Sequence, residues 1–345
     1  KPYYADKEPK AQSGVSGKVV EVILNNEYAG IYSLTEAMDR KEMKLKKYDE
    51  KKQEFHGQMW KVSSWDKAEF WDIAKDYNNN QETWHAFETK YPDFEDVNPT
   101  DYSALYHAID FVANSDDNTF REEVENYFDI PVLIDYHILT EVTLAKDNTG
   151  KNLYWSIYDR DKCQKLTLSI WDLDATMGQF WSNDPIYNEE TKPDQKVNIN
   201  YFNLYNRLIA LNVNNYNQKL LNRYKTLRKT YLNTETLIKR YRGYYNILAM
   251  SGAASREERK WSKDSDISGC VLDFKHEIEY LDSWIRRRME YLDSELSPLY
   301  TNINTEIAPS QKKQVAAYNL LGQKVLSSYK GIIIANGKKY IKIKK

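Results

Sequence analysis

Residues 145–178 read AKDNTGKNLYWSIYDRDKCQKLTLSIWDLDATMG and place Asp147, Asn152, Asp172 and Asp174 around one expected hairpin. The runs NLYWSIYD and KLTLSIWD each alternate like half-buried strands, and the polar residues Arg160 to Gln164 separate them. Antiparallel pairing about a centre near residue 162 sets residue 153 opposite roughly 171, so Asn152 and Asp172 fall at the same open end. Asp147 sits in the Asp-Asn-Thr-Gly loop that leads into that end, and Asp174 shares a face with Asp172 if the strand continues. Carboxylates crowded at one point repel unless a cation or a proton intervenes. Hard divalent cations prefer such oxygen ligands, and Mg²⁺ takes one or two carboxylates together with phosphate oxygens.

The chemistry this suggests is a metal–phosphate site. Asp147 would accept a proton from a hydroxyl nucleophile while Asn152 and Asp172 hold metal. The Asp-x4-Asn spacing is that of the catalytic loop of protein kinases, which a metal-binding Asp follows later in the chain. Alone the spacing is a weak signal; the hairpin and the second acidic cluster strengthen it. Three other readings fit the same residues: turn and cap positions, a carboxylate pair flanking a sugar bond, and a structural Ca²⁺ loop.

The elements that must position these residues are legible in outline. Residues 19–35 predict two short strands around Asn25-Asn26-Glu27, and 57–65 predict another, which together form a sheet-rich N-terminal lobe. Lys41 to Lys52 is a charged stretch, read as a solvated helix or loop. Tyr102, Leu105, Tyr106, Ile109 and Val112 repeat at helical spacing. A second helix is expected from the cap Asp129, with Pro131 in its first turn, to near Lys146. Further helices are expected at 202–211, 216–232, 234–250 and 273–296.

Composition narrows the class. A chain of 345 residues suits two lobes or one large α+β domain. The 49 basic and 51 acidic residues nearly cancel, so no global field favours nucleic acid. Arg286-Arg287-Arg288 reads as a solvated helix face. No apolar run is long enough for a membrane span. The 28 Tyr and 9 Trp suit either a carbohydrate-facing surface or an ordinary core. Cys163 and Cys270 are too few for a disulfide framework, and their spacing leaves pairing open. The chain opens at Lys1-Pro2 without a visible signal peptide, which implies that processing or trimming removed one.

With those residues in view, the chain resembles the CotH family, the spore-coat-protein-H-like secreted atypical kinases, over roughly residues 18–297. The likeness rests on VEVILNNEYAGIYSLTEAMD (20–39), MWKV (59–62), WHAFETKYPD (84–93), LIDYHILTEVTLAKDNTGKNLYWSIYD (133–159), WDLDATMG (171–178), RYKTLRKTYL (223–232) and EIEYLDSWIRRRMEYLD (277–293). It implies an α+β, divergent protein-kinase-like two-lobed fold, with a small N-lobe over 1–95 and a mainly helical C-lobe over 96–298. It implies transfer of phosphate from ATP to Ser or Thr of a protein substrate with Mg²⁺, or Mn²⁺. Asp147 would be the base, Asn152 and Asp172 metal ligands, and Asp174 a second metal candidate. Lys61 and Glu36 are the candidates for a Lys–Glu pair that positions phosphates, their spacing suiting neighbouring strands, and Lys90 is a further basic candidate. Relatives carry an Arg/Gly/Ser-rich segment and a Lys-rich strand upstream of VEVILNNEY. Here KPYYADKEPKAQSG precedes it, so the chain is expected to begin inside the domain.

The last residues, YNLLGQKVLSSYKGIIIANGKKYIKIKK, resemble the C-terminal sorting domains of proteins exported by the type IX system of Bacteroidetes. That implies a linker and small β segment over 299–345 and a secreted or surface-attached protein. The rivals to a kinase are a non-catalytic coat or surface scaffold and a carbohydrate-binding surface protein.

Overall fold

Asn25 and Asn26 both adopt positive φ, 51° and 66°, the two-residue turn that suits the right-handed twist of paired strands. They close β1 (Gly17–Leu24) onto β2 (Glu27–Thr35) as a separate two-stranded sheet. The computed structural model describes residues 1–72, 76–179, 192–262 and 272–296, together with four short strands within 317–342. Asp39 caps α1 (Arg40–Met43) by accepting from the Glu42 amide at 2.8 Å. The charged stretch 41–52 is only partly solvated, because Met43 and Leu45 pack with Tyr4, Met59 and Tyr158 in a core cluster.

The chain continues through β3 (Gln58–Val62), α2 (Trp65–Ala68), β4 (Thr83–Trp84) and β5 (Phe87–Tyr91). Three helices follow: α3 (Ser103–Asn114), α4 (Asp117–Tyr127) and α5 (Ile130–Thr143). Helix α4 was not anticipated, although Asp116 caps it with bonds to Asn118 and Thr119 and it buries the i, i+4 pair Phe120 and Val124. Asp129 stands at the N-cap position of α5 with Pro131 in the first turn, as expected, but its side chain makes no cap hydrogen bond. Its buried carboxylate instead accepts from the Tyr3 amide at 2.7 Å and the Thr167 hydroxyl at 3.0 Å, while burial pushes its carboxyl up. Helix α5 ends at Leu144, whose φ of 52° breaks the helical run short of Lys146.

Next come β6 (Leu153–Asp159) and β7 (Cys163–Ile170). They complete a five-stranded sheet of order β4-β5-β3-β6-β7, so strands from both sides of residue 95 share one sheet. Every residue of β6 is buried, as a strand inside a covered sheet requires. Trp60 and Trp155 face each other across β3 and β6, and Phe70 packs on Trp155, Phe87, Phe128 and Phe202. Much of the aromatic content is therefore core, where large rings contribute most to apolar burial.

Helices α6 (Asn203–Ala210), α7 (Tyr216–Arg228), α8 (Thr234–Met250), α9 (Ala253–Trp261) and α10 (Phe274–Leu296) follow. Helix α9 holds the β1–β2 ribbon: Glu257 accepts from the Ile31 amide at 2.9 Å and the Tyr28 hydroxyl at 3.0 Å. Arg256 pairs with Glu21 at 2.7 Å. On α10, Arg286 is solvated and pairs with Glu235, but Arg288 is fully buried, a correction to the solvated reading. Arg288 lies three residues after the buried Ile285 on the same helical face, and its guanidinium is spent on the Glu141 carbonyl and carboxylate and the Pro193 carbonyl. A buried charge survives only with such pairing.

Residues Lys1–Ser297 form one unit and Pro298–Lys345 another. In the second, β8 (Ala317–Tyr318), β9 (Lys324–Val325), β10 (Gly331–Ala335) and β11 (Lys338–Lys342) form an antiparallel sheet of order β11-β10-β8-β9. Cys163 is a free thiol, and Cys270 lies outside the described residues. Among the described residues no helix is long and apolar enough to cross a membrane. The architecture is mixed α+β, with small N-terminal sheets and a mainly helical remainder, in keeping with a kinase-like two-lobed fold.

Candidate active site

The site forms where α5 ends and the β6–β7 hairpin opens. After Leu144 the chain makes a short 3-10 turn over Lys146–Asn148 that buries Asp147 and Asn148. The hairpin register differs by one from the simple count: Leu153 faces Ile170, not 171, because the pairing shifts between Ile157 and Asp159. That slip would move Asp172 away from Asn152 in a regular ladder. It does not, because alternation stops there: Asn152 and Asp172 take φ of 54° and 57°, and Trp171 donates to the Asn152 carbonyl at 3.1 Å. Both ends curl toward the 3-10 turn. Asn and Asp are the side-chain-bearing residues that adopt this left-handed backbone most readily.

Asp147 is 6 % exposed and its Oδ2 accepts from Asn152 Nδ2 at 2.5 Å. Lys151 Nζ stands 3.7 Å from the same oxygen. With its nitrogen turned to Asp147, the Asn152 amide keeps its oxygen as the acceptor end, the atom a cation would use. Asp172 is more open. Desolvation pushes its carboxyl up, the charges of Asp174 and Asp147 add to that, and Lys61 opposes them. The structure thus brings Asp147, Asn152, Asp172, Asp174 and Lys61 together. Three carboxylates against two lysines leave excess negative charge on hard oxygen donors, a set that fits a divalent cation.

The expected Lys61–Glu36 pair is not formed on neighbouring strands. Glu36 follows β2, which belongs to the separate ribbon, and its carboxylate accepts from the Ser16 amide at 3.2 Å. Lys61 sits in β3, directly opposite Glu88 of β5 and Tyr154 of β6. Sequence spacing missed this because strand pairing joined 58–62 to 87–91 rather than to 27–35. Lys90 bonds Glu88 and so is tied on β5.

Three further residues shape the site. The buried Asn148 donates from Nδ2 to the carbonyls of Trp171 at 2.8 Å, Asn152 at 3.1 Å and Asp172 at 3.4 Å. Its Oδ1 is buried with no partner among the described residues. One amide thereby ties both curled strand ends to the turn that carries Asp147. Gly150 lies under Glu69, where an added Cβ would come within 3.0 Å of Glu69 Cγ. Gly178 closes the 171–178 segment at φ 90°, packed against Tyr280 and Trp284 of α10, and Met177 donates to the Thr143 carbonyl at 2.7 Å. Asn148 could have been suspected from Asp-Asn-Thr-Gly; its partners, far along the chain, could not.

A family model described as CotH kinase protein matches residues 14–292, well over half of the chain. No curated protein matches it.

Proposed function

Because the chain belongs to the CotH kinase protein family, we propose that it is a secreted phosphotransferase carrying the γ-phosphoryl group of ATP to a Ser or Thr hydroxyl of a protein. The observation that supports this most is the buried Asp147–Asn152 contact beside the charge-strained Asp172. In that reading Asp147 takes the hydroxyl proton as the oxygen bonds to the γ-phosphorus and the bond to the ADP oxygen breaks. Asn152 holds Asp147 in orientation through its amide nitrogen. Lys61 offers a point charge to phosphate oxygens. Asn152 and Asp172, with Asp174 beside them, would hold Mg²⁺ or Mn²⁺. Such an ion neutralises charge on the transferring phosphates and links them to the protein. Little else is needed, since phosphoryl transfer is largely positioning and electrostatics. Secretion rests on the likeness of the C-terminal residues to exported proteins.

The test is transfer of labelled γ-phosphate to a protein acceptor, paired with melting curves in ATP/Mg²⁺, ATP/EDTA and a glycan panel. Asp147→Asn should abolish transfer and keep stabilisation by ATP/Mg²⁺, which arises by mass action on the folded state. Full transfer by Asp147→Asn would sink the assignment of the base. Stabilisation by glycans and none by ATP would sink the kinase reading itself.

A further inference from the structure

At the opposite end of the β6–β7 hairpin, three side chains unrelated to the phosphotransfer site converge. His56, just before β3, meets Asp159, the last residue of β6, and Asp161 in the turn. One ligand atom from each lies within 4.8 Å of the others. His56 Nδ1 is 2.6 Å from Asp161 Oδ2 and 4.0 Å from Asp159 Oδ1. The backbone already clasps the two segments, since the Arg160 amide donates to the His56 carbonyl at 2.9 Å.

Asp159 is the telling member. It is only 8 % exposed, and its Oδ1, aimed at His56, has no hydrogen-bond partner among the described residues. A buried carboxylate oxygen left unpaired is costly. The nearby Arg160 guanidinium does not relieve it, being committed to Asp101 at 2.6 Å and to Gln58. A single imidazole proton serves Asp161 and leaves Asp159 unanswered.

We propose that His56, Asp159 and Asp161 form a binding site for a first-row divalent transition metal, Zn²⁺ above all, distinct from the nucleotide's ion. An imidazole with two carboxylates is a borderline donor set, which selects such ions over Mg²⁺ and Ca²⁺. Zinc bonds to nitrogen and oxygen of about 2.0–2.2 Å require ligand atoms about 3.4 Å apart in a tetrahedron. Separations of 2.6 and 4.0 Å bracket that spacing, and the Asp161 side chain, 60 % exposed, is free to adjust. Binding displaces the Nδ1 proton to solvent and leaves the fourth position to water. At about 3.3 Å per residue, β6 separates this ion from Asn152 by roughly 20 Å. It therefore acts as a clasp between the start of β3, the Lys61 strand, and the hairpin turn.

The chelator-stripped full chain, titrated with Zn²⁺ by calorimetry and with Co²⁺ by visible spectroscopy, tests the site. One equivalent of Zn²⁺ should bind and persist in millimolar Mg²⁺. His56→Gln and the exposed-position variant Asp161→Asn should each weaken it by at least about tenfold. Asp172→Asn and Cys163→Ser should leave it unchanged. Absence of Zn²⁺ binding, indifference to both His56→Gln and Asp161→Asn, or loss in Asp172→Asn or Cys163→Ser would overturn the proposal.

Discussion

Replacing Asn148 by alanine separates what its amide does for the fold from what it does for the site. Two of its bonds, at 2.8 and 3.1 Å, are well formed, and the third, at 3.4 Å, is long. Each of the two is worth about 0.5–1.5 kcal/mol net. The same substitution removes a buried amide oxygen that has no partner among the described residues, a group whose burial costs about 1–3 kcal/mol. These terms largely offset, so stability should fall by only about 1–2 kcal/mol once a small cavity is included. In melting temperature that is roughly 2–3 °C for a unit of this size. Transfer should suffer far more. The lost bonds hold the peptides on both sides of the Asp172 α-carbon and the one after Asn152, and a displacement near 1 Å at a reacting centre costs about 100-fold. The assay is γ-phosphate transfer and thermal melting on one preparation. Wild-type transfer by Asn148→Ala would refute the reasoning, and so would a melting point that collapsed along with activity.

Two further outcomes follow from the same region. Folding raises the proton affinity of Asp172, so the stability linked to it is full below its ordinary 3.8 and is lost as pH climbs through the raised value. Asp172→Asn should therefore melt above wild type at neutral pH in EDTA and lose that advantage in ATP/Mg²⁺; melting curves from about pH 3 to about 8 would show it. Gly178→Ala should cost at least about 2 kcal/mol in urea unfolding, combining an unfavourable φ of 90° with collision against Tyr280 and Trp284.

What could be read from sequence was whatever depends on local spacing. The Asn25-Asn26 turn, the start and end of α8, and the meeting of Asp147 with Asn152 all follow from residues close in the chain. What failed depended on distant choices. Lys61 does not meet Glu36, because strand order, not separation along the chain, decides which strands lie side by side. Asp129 takes the N-cap position, but its carboxylate serves the distant Tyr3 amide and Thr167 hydroxyl instead of the helix's own amides. Arg288 was hidden in a run of three arginines whose charge masked its place on the apolar stripe of α10. The open end of the hairpin survived a register error only because two residues left the β region, which no alternation pattern encodes.

The attachment of the β1–β2 ribbon to α9 has a kinetic meaning. An isolated two-stranded ribbon is barely stable, and Ile23, Leu24 and Leu34 remain exposed on this one. Its amides should therefore take up deuterium through a local opening, governed by the bonds of Glu257 to Ile31 and Tyr28 and by the Arg256–Glu21 pair. The amides of β6, inside the five-stranded sheet, should exchange only when the larger unit opens. Deuterium uptake and limited proteolysis would then read two stabilities in one chain, the lower of them set by the grip of Glu257 and Arg256 of α9 on the ribbon.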